Sequence, residues 1–324
     1  MITVLQTLSD TVAELMREDP RRVVLGEDVT DGGMLGLTRA AADDEALAPR
    51  LLGLPLQSAA GIAHAAGLAL GGARPVMLMP SVATLVEGLA ALREASRFSR
   101  RYDTDRALPL LIVAPFGPGF GLGGDGAMDA TDLLTCIDGL RVVVGSDPAR
   151  FPELLRAAAA FDAGESPTVL LFPRNLLLRE AAPDPEEDEQ PELAPMDQAR
   201  VVMDGSDATV FCWGATVERV CEAVEGAELS ARVVDLVSLR PMDNAGVLDA
   251  ARETGRVLVV GAGAHSHGPA AQLSALLAEE GITFLDAPVR HLRGRAGDVE
   301  ARHEHDLIPS VDRIRDALTS TASF

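Results

Sequence analysis

Arg22-Val23-Val24-Leu25-Gly26-Glu27-Asp28-Val29 is a short apolar run that stops at a glycine and is followed at once by two carboxylates. A run of this length, rich in Val and Leu and bounded by Gly, reads as a strand buried on both faces. Before it, residues 3–17 place Leu8, Val12 and Leu15 on one face at helical spacing. After it, residues 59–71 read as an Ala/Gly-rich helix. Pro75-Val76-Met77-Leu78-Met79 is a second apolar strand, and a helix is expected over about 82–98. Further strands are expected at 110–114, 140–144 and 167–172, with a helix starting near Asp147-Pro148 between the last two. Strands alternating with helices in this way specify an α/β fold with a largely parallel sheet.

The alternation is interrupted once. Residues 181–197 include Pro-Asp-Pro-Glu-Glu-Asp-Glu-Gln-Pro-Glu and little apolar content. Proline and like charges favour an extended, solvated connector. A second alternation follows, with strands expected at 208–213, 231–235, 256–261 and 282–285. Helices are expected at 216–226, 244–254, 267–280 and 310–319. The reading is therefore two α/β domains, 1–180 and 198–324, joined by an acidic linker at 181–197.

Composition agrees with two cores. The chain has 324 residues, of which 47% are hydrophobic and only 3% aromatic, so the cores are built from Ala, Val and Leu. A net charge of -21 repels phosphate backbones and anionic membranes, which argues against nucleic-acid and membrane partners. No run of apolar residues is long enough to span a bilayer. The start, Met1-Ile2-Thr3-Val4-Leu5, lacks the pattern of a signal peptide. All basic residues are Arg, which excludes Schiff-base and P-loop lysines within this chain. Three cysteines, Cys136, Cys212 and Cys221, are too few and too irregular for a disulfide framework or a zinc site, and a reducing cytoplasm is the expected setting.

Four stretches can carry chemistry. Glu27 and Asp28 lie at a strand's carboxyl end, where open parallel sheets bind ligands; a turn with a capping Asp accounts for the same residues. Leu54-Pro55-Leu56-Gln57-Ser58 leads into Ala59-Ala60-Gly61-Ile62-Ala63-His64, with Ser58 as the expected N-cap and small residues behind it for close helix packing. His64 reads either as a functional group or as a helix histidine satisfied by a neighbour. The glycine-rich segment 117–126 contains Gly124-Asp125-Gly126, but no Asn lies between Gly126 and Asn175 to complete a diphosphate–metal motif, so a flexible surface loop is the better reading. His265 and His267 share their spacing with His303 and His305. Nothing in the sequence brings the pairs together, and no metal site is assigned.

Taken in order, these stretches resemble the beta subunit of the thiamine-diphosphate-dependent decarboxylase component of two-oxoacid dehydrogenases, of the pyruvate and branched-chain type. The resemblance rests on Val24-Leu25-Gly26-Glu27-Asp28-Val29, Leu54-Pro55-Leu56, Gly61-Ile62, Arg74-Pro75-Val76 and Gly139-Leu140-Arg141-Val142-Val143 in the first domain. It continues through Asp235-Leu236, Leu239-Arg240-Pro241-Met242-Asp243, Thr254-Gly255-Arg256-Val257-Leu258 and Ala287-Pro288-Val289 in the second. The resemblance implies a pyrimidine-type parallel-sheet domain and a transketolase C-terminal-type domain. It also implies an α2β2 heterotetramer in which a separate alpha chain holds the diphosphate and Mg of thiamine diphosphate. The beta chain's first domain then holds the aminopyrimidine ring, with a Glu that drives proton movement on it. Self-association through beta chains, across the Ala/Leu faces of helices 59–71 and 82–98, is implied as well.

The sequence departs from that pattern at the polar atoms. The activating Glu is due just after Pro55-Leu56, where this chain has Gln57, Ser58 and Ala59. These can hydrogen-bond a ring nitrogen but cannot shuttle its proton as a carboxyl does. Met77-Leu78-Met79-Pro80 replaces a strand of Glu, Gln and an aromatic. Gly126-Ala127-Met128-Asp129, Cys136 and Ala262 stand where the family carries His, His and Glu. The candidate cofactor-binding residues are Gln57, Ser58, Met79, Pro80 and Glu27, and His64 is the candidate catalytic substitute. Two readings of function follow. One is a working beta-type subunit acting on a 2-oxoacid. The other is a catalytically degenerate subunit that stabilises or completes an alpha-type partner.

Overall fold

The computed structural model describes residues 2–101, 108–160, 167–181, 195–262, 267–295 and 299–324. The elements in chain order are α1 (Val4–Glu18), β1 (Arg22–Gly26), α2 (Arg39–Ala42), β2 (Leu51–Gly53), α3 (Ser58–Leu70), β3 (Arg74–Leu78), α4 (Val82–Glu87), α5 (Leu89–Ser96), α6 (Phe98–Arg101) and β4 (Leu111–Phe116). Then come α7 (Gly123–Gly126), α8 (Thr131–Thr135), β5 (Arg141–Val144), α9 (Phe151–Ala159), β6 (Thr168–Pro173) and α10 (Arg174–Leu177). The remainder is β7 (Arg200–Met203), β8 (Ala208–Cys212), α11 (Thr216–Glu225), β9 (Ala231–Asp235), β10 (Ser238–Arg240), α12 (Asn244–Thr254), β11 (Val257–Gly261), α13 (Pro269–Glu280), β12 (Arg290–Arg293) and α14 (Val311–Ala322).

Two compact units emerge, one made of 1–116 with 137–196 and the other of 117–136 with 197–324. In the first, the strands run β5-β6-β4-β3-β1-β2, each pair parallel. The registers Val24↔Val76 and Val24↔Leu51 place β1 between β3 and β2. Every residue of β4 and β6 is buried, as expected of central parallel strands covered on both faces. In the second unit the order is β12-β11-β8-β9-β7, parallel except for the β7–β9 pair. Its core is aliphatic, from Val210, Val233, Leu258 and Val260 to Ile314 and Leu318 of α14.

Helix α1 begins where Thr3 and Gln6 satisfy each other's orphan amides: the Gln6 amide donates to the Thr3 hydroxyl and the Thr3 amide to the Gln6 side-chain oxygen at 2.7 Å. At the start of β1, the buried Arg22 guanidinium donates to the carbonyls of Leu15 (3.1 Å) and Ala159 (3.2 Å), tying α1, β1 and α9 together. Beside it, hydrogen bonds from the Arg21 guanidinium hold the Asp19 carboxyl well below the usual carboxylate range. They outweigh the opposing effect of burial and are reinforced by Arg74. Because the folded value is depressed, the ionised carboxylate contributes stability above its unfolded value of about 4, and that contribution is lost as pH falls towards the folded value. Denaturant titrations between about pH 2 and 6 should therefore show a shallower acid loss of stability in Asp19→Asn than in the wild type.

The structure corrects several expectations. The expected strand at 282–285 is a turn in which the Phe284 amide donates to the Gly281 carbonyl at 3.0 Å, and the edge strand is β12 at Arg290–Arg293. Phe284 finds its contact under the Arg252 guanidinium, 5.0 Å from the ring centroid, so its apolar character serves helix packing. The expected single helix 82–98 breaks at Gly88. A Cβ there would lie 2.6 Å from Ile62 Cδ1 and 3.1 Å from Ser58 Cβ, so the break lets α3 approach closely. The short strands β2, β7 and β10 were not foreseen, because none has an apolar run long enough to mark it. The proposed acidic connector lies mostly outside the described residues.

Candidate functional site

A pocket opens in the first unit at the carboxyl ends of β1, β3, β4 and β6, the edge at which open parallel sheets bind ligands. Leu78, Met79 and Pro80 arrive from β3, Val113 and Pro115 from β4, and Phe172 from β6. Leu5 and Leu8 of α1 and Leu177 of α10 line it too, with Val29, Leu35 and Leu37 from the segment after β1. Glu27 is the only ionisable side chain among these lining residues. It is half-buried and makes no hydrogen bond or ion pair with any described residue.

Local sequence explains the shape. Gly26 has the Leu78 carbonyl oxygen 2.3 Å from where a Cβ would sit, so only glycine lets the ends of β1 and β3 converge here. The chain then turns on Asp28, whose φ is 54° and whose carbonyl accepts from the Gly33 amide at 2.7 Å. The buried Thr38 hydroxyl donates to the Val29 carbonyl at 2.8 Å and closes the segment, which sets Leu35 and Leu37 as a wall. Phe172 is backed by the fully buried Phe151, with ring centroids 4.5 Å apart.

Three of the sequence candidates, Glu27, Met79 and Pro80, meet in this pocket. Gln57, Ser58 and His64 do not line it. Gln57 is exposed and is itself the N-cap of α3, without a side-chain cap bond. This corrects the expectation for Ser58, which is the first helical residue; its hydroxyl is buried and has no partner. His64 is exposed on α3. Among the other histidines, His303 and His305 lie 3.8 and 3.2 Å from Asp306, and His267 lies 3.9 Å from Asp132. His265 falls outside the described residues. Among those described, no group of three or more His, Cys, Asp or Glu is arranged to hold a metal ion.

Sequence reading missed Leu35, Leu37 and Phe172, since single apolar residues in loops or buried strands carry no positional signal. It also misjudged 117–126. That loop is anchored: the amides of Gly119 and Gly121 donate to one Glu304 carboxylate oxygen at 2.7 Å each, and the Leu122 amide donates to the other at 3.0 Å. Burial pushes the Glu304 carboxyl up, but these amides and that of Gly123 outweigh it, and the net displacement is downward.

Comparison with known proteins gives the architecture a family. Residues 1–179 match the transketolase pyrimidine-binding domain, and residues 197–314 match the transketolase C-terminal domain. The 3-methyl-2-oxobutanoate dehydrogenase subunit beta of Mycobacterium tuberculosis is 30% identical over 98% of this chain and 91% of its own length. The chain belongs to the family of two-oxoacid dehydrogenase beta subunits. Another relative, the pyruvate dehydrogenase E1 component subunit beta of Acholeplasma laidlawii, is 28% identical over 97% of this chain and 96% of its own. A split-gene transketolase, solved as an inactive beta4 tetramer, shares the fold with a TM-score of 0.75 at 21% identity, over 99% of this chain and 98% of that one.

The family is thiamine-diphosphate dependent, and this chain's pocket offers surfaces for a flat ring. Its residues fit a flat heteroaromatic ring: aliphatic walls, Met79 and the aromatic Phe172, with one carboxylate, Glu27, among them. They do not reproduce the carboxylate expected just after Pro55-Leu56, where Ser58 is buried without a partner. Among the described residues, no helix is long and apolar enough to cross a membrane.

Proposed function

We propose that this chain is the beta-type subunit of a two-component thiamine-diphosphate-dependent enzyme that decarboxylates a 2-oxoacid and transfers the acyl group. The observation that carries this reading is the apolar, single-carboxylate pocket at the carboxyl edge of a sheet, in a chain that matches beta subunits over nearly their whole length. The same relatives favour a working subunit over a catalytically degenerate one. In this reading the protein is cytoplasmic, and residues 1–180 and 198–324 act as the two domains on either side of the 181–197 connector.

A separate alpha chain holds the diphosphate and magnesium, in an α2β2 assembly. The exposed small residues of α3, Ala59, Ala60, Ala63 and Gly67, are offered for contacts between subunits, beta chain to beta chain included. When bound, thiamine diphosphate supplies the carbanion chemistry. This chain's part is to bury the ring's faces between Met79, Pro80 and Phe172, to exclude water with Leu35 and Leu37, and to accept a hydrogen bond from the ring at the Glu27 carboxylate. Ser58 and Gln57 act as neutral hydrogen-bonding groups at the start of α3. His64 faces solvent on the chain by itself and takes part only through a partner chain; unchanged turnover of His64→Ala in the assembled enzyme would remove it.

The reading is tested by calorimetry with thiamine diphosphate and magnesium, on this chain and on the chain assembled with its alpha-type partner. Binding and turnover of 2-oxoacids by the assembly support it, and an assembly that forms but takes up no cofactor overturns it. In the same assembly, Glu27→Gln is expected to weaken cofactor binding by about tenfold, the worth of about 1.4 kcal/mol for one charge-assisted hydrogen bond. Equal affinity for both forms would take Glu27 out of the site.

A further inference from the structure

The loop between β4 and α8 carries an arrangement that the proposed reaction does not use. Its ends are tied, with the Gly117 amide donating to the Met128 carbonyl at 3.0 Å, so residues 117–128 form a closed surface loop of the Ω type. Gly119 and Gly121 have φ of 147° and 67°, conformations open to glycine, and these turn their amides to one side. The Glu304 carboxylate, on the short helical turn 301–307, fills the resulting concavity and is itself almost fully buried. Gly117 follows Phe116 directly, so the loop continues the strand that brings Val113 and Pro115 to the pocket.

We propose that residues 117–128 are a hinged strap latched by the Glu304 carboxylate, and that releasing this latch frees the strap without unfolding the unit to which it belongs. The geometry favours a discrete latch over diffuse packing. Three amides converge on one side chain distant in sequence, while Leu122, beside them, leaves its own side chain about half exposed (53%). Full apolar burial in the strap is confined to Pro118 and Ala127 near its ends, so its middle, where Gly119, Gly121 and Leu122 are exposed, is held chiefly by the carboxylate and belongs to the low-stability end of the structure. The latch is independent of the cofactor reading proposed above.

Amide hydrogen exchange on the full-length chain tests the latch. In the wild type, the amides of Gly119, Gly121 and Leu122 should be protected. In Glu304→Ala they should exchange about 100-fold faster or more, with amides of β8 and β11 unchanged, and acetate at high concentration should restore part of the protection. Glu304→Gln, which keeps an acceptor oxygen and loses the charge, should give an increase of about tenfold at the same amides, and it carries the test if the alanine variant does not fold. Unchanged exchange at the three amides overturns the latch. So does faster exchange spread evenly through β8 and β11, which would make Glu304 a stability residue of the whole unit. Either failure leaves the cofactor reading standing, since that is decided by calorimetry.

Discussion

Phe151→Ala is expected to cost about 3–5 kcal/mol of folding stability, the range for removing a fully buried aromatic and leaving its cavity. Phe151 opens α9, is wholly buried and packs at 4.5 Å against Phe172. With aromatics at 3% of the chain, few other side chains have the volume to fill the space it leaves. Gly145 closes off repacking from one side: a Cβ at that position would already lie 2.8 Å from both rings. The loss should appear as a lower urea midpoint with unchanged slope. Because Phe172 is a pocket wall, ligand affinity should fall in the same variant, and Phe151→Leu should recover most of the stability but not the ring contact. A change below about 1 kcal/mol would show that the core around α9 collapses more freely than its packing implies.

The second large effect is expected at Gly26. Gly26→Ala places a methyl 2.3 Å from the Leu78 carbonyl oxygen and 3.2 Å from Val29 Cγ1. The first obstacle is backbone, so relief requires β1 and β3 to part at the point where both enter the pocket. Overpacking of this kind costs about 1–3 kcal/mol, and a rigid backbone neighbour places Gly26→Ala near the upper end. The control is Gly53→Ala at the end of β2, where the nearest atoms lie at 3.7 Å and little change is expected. Thermal unfolding of the pair separates a specific close approach from a general intolerance of alanine at strand ends. Equal midpoints for the two variants would contradict the argument.

How far such features could be read in advance depended on what encodes them. The apolar runs of β1, β3, β4, β6, β8 and β11 were legible because burial on both faces demands continuous Val, Leu and Ile. The edge strands were not: β7 and β12 are only four residues long, carry Arg and have no fully buried position. At the site, Glu27, Met79 and Pro80 could be named because they follow strands directly. Ser58 was misread by one position, since a Ser before an apolar helix carries the same local signal whether it caps the helix or begins it. The role of Glu304 was invisible, because a carboxylate that serves three amides more than 180 positions away leaves no local mark.

The division of the chain into units has a practical consequence. Residues 117–136 lie inside the span of the first unit in sequence, yet they belong with the second. A fragment cut at the acidic connector and starting near residue 198 would lack the amides that Glu304 accepts from, and would lack α8. Its complement would carry those residues without their counterparts. Dissection at the obvious boundary should therefore yield two insoluble halves. During synthesis, residues 117–136 emerge early and must wait for residues 197–324, so the second unit cannot finish folding until those residues have followed.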